Sequence, residues 1–210
     1  MTGRVAVVAT AVVAMAAGLA GGLLVAGSVL APSVPAEGSA DVGFARDMQA
    51  HHAQAVEMAV LVRERSDDPE LRQVALDIEL TQQQQQGQMY GWLQVWGLPQ
   101  ASSAPPMAWA SGHGHEASGG RTQDPAAPGA AMPGMATPEQ LTELAAADGT
   151  QAERLFLELM IAHHDGGVAM ARSALELAGE PAVRRLAQAV VDSQTAEIAV
   201  LEALLADVGR

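Results

Sequence analysis

Sliding the chain along itself by 112 residues lays Gly43–Gly97 over Leu155–Gly209 without a gap, and fifteen of the 55 aligned positions are identical. The matches fall on uncommon residue types: Phe44/Phe156, Met48/Met160, His51-His52/His163-His164, Met58/Met170, Pro69/Pro181, Arg72/Arg184, Gln82/Gln194 and Gly97/Gly209. Agreement at such positions separates a duplication from shared alanine-richness. The repeat therefore sets the fold before any local pattern is read.

Each unit reads as two helices. Phe44, Met48, His51, Ala55, Met58 and Val62 advance by alternating steps of four and three, which is one stripe along a helix. Ser66-Asp67-Asp68 interrupts it, with Asp68 suited to cap a second helix and Pro69 to begin it. Leu71, Val74, Ile78, Gln82, Gln85, Met89, Trp92 and Trp96 then share a face until Gly97-Leu98-Pro99. The second unit repeats the scheme with Phe156, Met160, His163, Gly167, Met170 and Ala174, a turn at Gly179 and Pro181, and a second stripe from Val183 to Val208. Two hairpins with apolar stripes bury them most simply against each other. The expected fold class is all-α, a four-helix bundle with residues 41–97 and 138–210 as its halves. Composition agrees: aromatics are 3% of the chain, so the core must rest on Ala, Val, Leu and Met, which favours helix over sheet.

Residues 98–137 are rich in Pro, Gly, Ala and Ser and show no period, as expected of a long surface loop or disordered linker. Pro138-Glu139 is placed to start a short helix leading into the next unit.

Ahead of the repeat, residues 5–30 carry no charge; Arg4 precedes them and Glu37 and Asp41 follow. This run is long enough to span a bilayer, and the charge asymmetry leaves the rest of the chain outside the cytoplasm. Val34-Pro35-Ala36 and Gly38-Ser39-Ala40 offer small residues for a signal peptidase, so residues 1–36 are read as a membrane anchor or a cleaved signal. Either reading makes the remainder extracytoplasmic.

The net charge of −13, with no lysine, excludes a nucleic-acid partner, because the chain would repel a polyanion. The absence of cysteine excludes disulfides and thiolate metal sites and leaves His and Met as the soft ligands. No nucleophile–base constellation, phosphate loop or nucleotide fingerprint is present. An enzymatic role therefore has no motif behind it.

All six histidines occur in close pairs: His51-His52, His163-His164 and His113-x-His115. Met48 stands three and four residues before the first pair, and Met160 before the second, the spacings at which helical side chains meet. Neighbouring positions point about 100° apart, so His51 and His163 fall on the core stripe and His52 and His164 at its border. Pairing residues equidistant from each turn sets His51 opposite Gln82, Met48 opposite Gln85, His163 opposite Gln194 and Met160 opposite Glu197. A polar layer inside an apolar stripe must be hydrogen-bonded, hydrated or metal-bound. Buried His–Gln pairs and core methionines would satisfy the first reading; two copies of the same doubled-His constellation favour the last.

Imidazole with thioether suits Cu(I) or Ag(I). Zinc through His and Glu197 would leave the methionines idle, and paired iron asks for more carboxylates than Glu197 supplies. Within the linker, His113, His115, Met132 and Met135 form a second candidate copper site, or belong to a low-complexity insert. The expected partners are metal ions, and the membrane through the N-terminal segment; a homo-oligomer and a metal-delivery partner stay open.

The pattern Phe44-x-x-x-Met48-x-x-His51-His52-x-x-x-Val56-x-Met58-Ala59, followed by Gln82-x-x-Gln85-x-x-x-Met89, resembles the bacterial family called domain of unknown function 305. Phe156-x-x-x-Met160-x-x-His163-His164-x-x-x-Val168-x-Met170-Ala171, with Gln194-x-x-Glu197, matches it again. The resemblance covers residues 41–209 apart from the linker. It implies a ferritin-like four-helix bundle, usually exported, with copper-binding relatives. It also implies Met48, His51, His52, Met58, Met160, His163, His164 and Met170 as candidate metal ligands. Three functions follow as expectations: extracytoplasmic copper binding, a ferritin-like redox enzyme, or a structural or sensory bundle with a hydrogen-bonded His-Gln layer.

Overall fold

The computed structural model describes residues 34–110 and 132–209, and the described residues from Pro35 onward form one compact unit. The proposed anchor at residues 5–30 and the linker histidines His113 and His115 lie outside the described residues. Among the described residues, no helix is long and apolar enough to cross a membrane.

The described chain is all-helical: α1 (Ala40–Arg65), α2 (Pro69–Val95), a single 3-10 turn (Ala108–Ala110), α3 (Pro138–Ala146), α4 (Gly149–Leu177) and α5 (Pro181–Asp207). Helix α1 packs on α2, α4 on α5, and α1 on α4, so the two hairpins meet through their first helices in a helical bundle. Local chemistry fixes the ends. Asp68 Oδ1 accepts from the amides of Glu70 and Leu71, and Pro69 occupies a first-turn position where its missing N–H costs nothing. Thr137 and Gln140 form a reciprocal capping box that starts α3.

The turns of the two hairpins are tied in the same way. Arg72 donates to the carbonyls of Arg63 and Ser66, and its repeat equivalent Arg184 to those of Leu175 and Ala178. Asp41, buried at the start of α1, accepts from the amides of Gly179 and Glu180 in the opposite turn. Its equivalent Glu153 accepts from the Ser66 hydroxyl. Each hairpin thus holds the turn of the other.

The connection between the hairpins is not wholly a surface loop. Trp109 lies edge-on to Phe44, with ring centroids 6.2 Å apart, and its indole N–H and the Met107 amide both donate to Asp47. Gly43 makes room for that ring, since a Cβ there would stand 2.3 Å from Trp109. At the far end of the connection, Met132 and Ala136 are buried. An aromatic and several apolar side chains in a Pro/Gly-rich stretch carry the packing that its lack of periodicity conceals.

Candidate metal centre

Helices α1 and α4 cross where the repeat-equivalent histidines meet. The rings of His51 and His163 stack with centroids 3.8 Å apart and planes 34° apart. His52 and His164 flank them at 6.5 Å and 6.4 Å from their respective neighbours, so the two units hold their pairs alike. All four rings are fully buried, including the two expected at the border of the stripe. The first helix of each hairpin is covered from two sides. His51 and His163 face the other unit, while His52 and His164 face the second helix of their own hairpin.

That second helix supplies one hydrogen-bond partner per unit. His52 Nε2 lies 2.6 Å from Gln85 Oε1, and His164 Nε2 lies 2.7 Å from Glu197 Oε2. Equidistance from the turn pairs Gln85 with Met48 and Glu197 with Met160. Each pairing is one turn out. Helical side chains lean toward the N-terminus of their own helix. A histidine on the first helix therefore leans away from the turn and a glutamine on the second leans toward it, so partners are unequally distant. Gln194 is offset in the same sense: a Cβ on Gly167, four residues beyond His163, would lie 2.3 Å from its Oε1.

Among the described residues, every buried side-chain nitrogen or oxygen left without a partner belongs to these four histidines or to Gln82 and Gln194 on the second helices. The atoms are Nδ1 of His51, His52 and His164, both ring nitrogens of His163, and both amide atoms of Gln82 and Gln194. Each unmade bond of this kind costs about 1–3 kcal/mol, which a folded chain tolerates where a ligand or water completes it. Three of the imidazoles are also in the form a metal requires. Burial pushes His51 down to about 4, against the bond to Pro133, and His52 down to about 3, against the bond to Gln85. Burial, then the neighbouring histidines, holds His163 well below its usual value. The His51 backbone opposes this, although neither His163 nitrogen reaches hydrogen-bonding geometry with any group. At neutral pH these three rings are uncharged and carry a lone pair for an ion.

The methionines lie on both sides of the layer, and both sides draw on both units. Met48 and Met170 belong to one buried apolar cluster, and Met58 and Met160 to the other. Met132 is buried in the first cluster, and Met135 packs against it half-buried. Among the described residues, no three of His, Cys, Asp and Glu stand ready to hold an ion by themselves. Imidazoles with methionine-bearing clusters to either side are a chemistry that suits a soft ion.

A short strap, Met132–Ala136, closes the layer, and the sequence reading missed it. The Pro133 carbonyl accepts from His51 Nε2 at 3.0 Å. Gln54 grips the Ala136 backbone twice, its Nε2 donating to the carbonyl at 2.9 Å and its Oε1 accepting from the amide at 2.7 Å. The strap rests on α4 so closely that a Cβ on Gly166 would lie 2.0 Å from the Pro133 oxygen. Gly134 turns there with φ +74°, and a Cβ on it would lie 2.2 Å from the Ala162 carbonyl. The Gly166-Gly167 pair inside a helical pattern was the available signal, because glycine in a helix interior asks for a packing reason.

The sequence profile of a family described as a domain of unknown function (DUF305) matches residues 41–205. The chain belongs to the DUF305 family. A DUF305 protein of Streptomyces coelicolor, inferred to be secreted, has a crystal structure that superposes with a TM-score of 0.72 at 46% identity, over 83% of this chain and 96% of that one. A DUF305 fragment from Deinococcus radiodurans gives 0.65 at 34% identity, over 83% and 99%. CopM in its Cu(II)-bound form gives 0.55 at 26% identity, over 80% and 96%. No curated protein matches the chain.

Proposed function

We propose that this DUF305 protein binds copper outside the cytoplasm, buffering or delivering Cu(I) through Met48, His51, His52, Met58 and their equivalents Met160, His163, His164 and Met170. The observation that carries the reading is the layer of unpartnered imidazole nitrogens, buried between two methionine-bearing clusters. Gln82, Gln85, Gln194 and Glu197 support that layer. The copper-bound state of CopM agrees with this reading. We read the bundle as ferritin-like and built from duplicated hairpins at 41–97 and 138–210. Residues 1–36 serve as its anchor or signal, in keeping with the inferred secretion of the Streptomyces relative. His113 and His115, with Met132 and Met135, form an accessory copper site on the linker, which Met132 joins only by leaving the cluster that buries it.

One observation favours the structural alternative: His51, His52 and His164 already have hydrogen-bond partners. Each of those bonds uses only one nitrogen, however, and the other stays unpartnered. A redox enzyme has weaker support, since Glu197 is the one carboxylate bonded to the layer's histidines among the described residues.

The test is a Cu(I) competition titration of the full chain, repeated with residues 111–131 replaced by a Gly/Ser spacer of equal length. Cu(I) retained by both proteins supports the bundle site. Failure of the natural chain to hold Cu(I) or Ag(I) refutes the reading. Loss of binding only with the spacer moves the site to the linker.

A further inference from the structure

Three of the four layer histidines are anchored through the same ring atom. His51 Nε2 meets the Pro133 carbonyl, His52 Nε2 the Gln85 amide oxygen and His164 Nε2 a Glu197 carboxylate oxygen. A carbonyl or carboxylate oxygen accepts the hydrogen bond, so the ring donates and the proton sits on Nε2. The partners come from three different elements: the strap, α2 and α5. In all three rings Nδ1 is the atom left buried and unpartnered. A proton there would be a buried donor with nothing to receive it, whereas a lone pair there is what a soft cation takes up.

The anchors also differ in charge. At the repeat-equivalent position, α2 carries the neutral Gln85 and α5 the carboxylate Glu197, which is partly exposed, with a side-chain accessibility of 27%. A carboxylate behind an imidazole N–H draws on its proton and makes the opposite nitrogen a better donor than an amide does. Gln85 and Glu197 do not touch the ion in this scheme. They are positioning residues that act through the ring.

We propose that His51, His52 and His164 present Nδ1 to a soft metal ion, and that Glu197 makes His164 a stronger donor than its counterpart His52. The proposal rests on the metal-binding reading above and adds which atoms bind and which unit binds more tightly. Pro133, Gln85 and Glu197 fix the tautomers before any ion arrives, so the first half is readable in the metal-free protein.

The experiment is long-range proton–nitrogen correlation spectroscopy of the full chain with nitrogen-15 histidine, without metal and then with Ag(I), a diamagnetic stand-in for Cu(I). The three anchored rings should show a protonated Nε2 and a bare Nδ1, and Ag(I) should shift Nδ1. A protonated Nδ1 in any of the three metal-free rings overturns the proposal whether or not metal binds. Ag(I) shifting Nε2 overturns the donor assignment while leaving metal binding intact. A correct tautomer pattern with no response to Ag(I) defeats both this assignment and the metal-binding reading. The second half is tested by Glu197→Gln, which keeps an acceptor and removes the charge. It should weaken Ag(I) binding roughly tenfold, at the lower end of outer-shell effects, with the His164 tautomer unchanged. The reciprocal Gln85→Glu should tighten binding at His52. Unchanged affinity in both variants, with the tautomers intact, overturns the claim for Glu197.

Discussion

Replacing Gly166 with alanine tests the strap directly, because two effects of opposite sign compete there. In an exposed helix interior, glycine to alanine stabilises by about 0.5–1 kcal/mol, since the unfolded chain loses freedom. Gly87 provides that baseline: it lies in α2, is exposed, and a Cβ there meets nothing within 4 Å. At Gly166 the new Cβ would stand 2.0 Å from the Pro133 oxygen, 2.4 Å from its carbonyl carbon and 2.8 Å from the Gly134 nitrogen. These are backbone atoms with no rotamer to change, so the strap must lift. Lifting it breaks the His51 bond, leaving a buried donor at about 1–3 kcal/mol, and strains the two Gln54 bonds, worth about 0.5–1.5 kcal/mol each. Set against the helix gain, the net is a loss of about 1–5 kcal/mol. Urea unfolding of the metal-free protein, followed by circular dichroism, should give Gly87→Ala more stable than the parent and Gly166→Ala less stable. If both substitutions stabilise alike, the strap does not rest on α4 and the account of His51 fails with it.

Stability of the metal-free protein should also depend on pH through the buried histidines. The folded values of His51, His52 and His163 lie below the ordinary histidine value, so the unfolded chain binds more protons. Stability is therefore complete above about pH 6.5 and falls as pH drops toward 4 for His51 and toward 3 for His52. Each ring contributes up to about 1.4 kcal/mol per pH unit, and equal urea midpoints at pH 7.5 and 5.5 would show the rings to be solvated. Met48→Leu with Met160→Leu should keep stability within about 1.5 kcal/mol per site, because the swap conserves volume, while Cu(I) affinity falls. Unchanged affinity in that double variant would reduce both methionines to core filler.

Much of this arrangement was legible from spacing alone. The stripe Phe44, Met48, His51, Ala55, Met58 and Val62 is wholly buried, and the cap at Asp68 and the helix start at Pro138 fall where their residue types require. What spacing does not encode is the direction in which side chains lean, and that moved Gln85 and Glu197 by a turn onto His52 and His164. Nor does it encode coverage from two sides, which buries His52 and His164 along with their neighbours. Arg72 and Arg184 were visible as identical residues, but their role as turn ties needs the fold, since each reaches carbonyls six and nine residues back across a reversal. The strap was hidden for another reason. Its contacts run through backbone atoms of Pro133, Gly134 and Ala136, which carry no residue-type signature.

The strap also accounts for a difference between the two copies that the alignment leaves unexplained. Gln54 and Ala55 in the first unit correspond to Gly166 and Gly167 in the second. Two like hairpins meeting at His51 and His163 offer two equivalent faces, yet the described chain supplies one strap, which touches both. A single segment lying across two equivalent faces meets different atoms on each, so the equivalent positions need opposite properties. Gln54 is long and polar and grips the strap; Gly166 has no side chain and lets it lie flat. The same asymmetry reaches the histidines, because the Pro133 carbonyl anchors His51 while His163, stacked on it, has no hydrogen-bond partner at either nitrogen. Of the two rings that meet at the centre of the layer, one is thus held by a hydrogen bond and the other by packing alone.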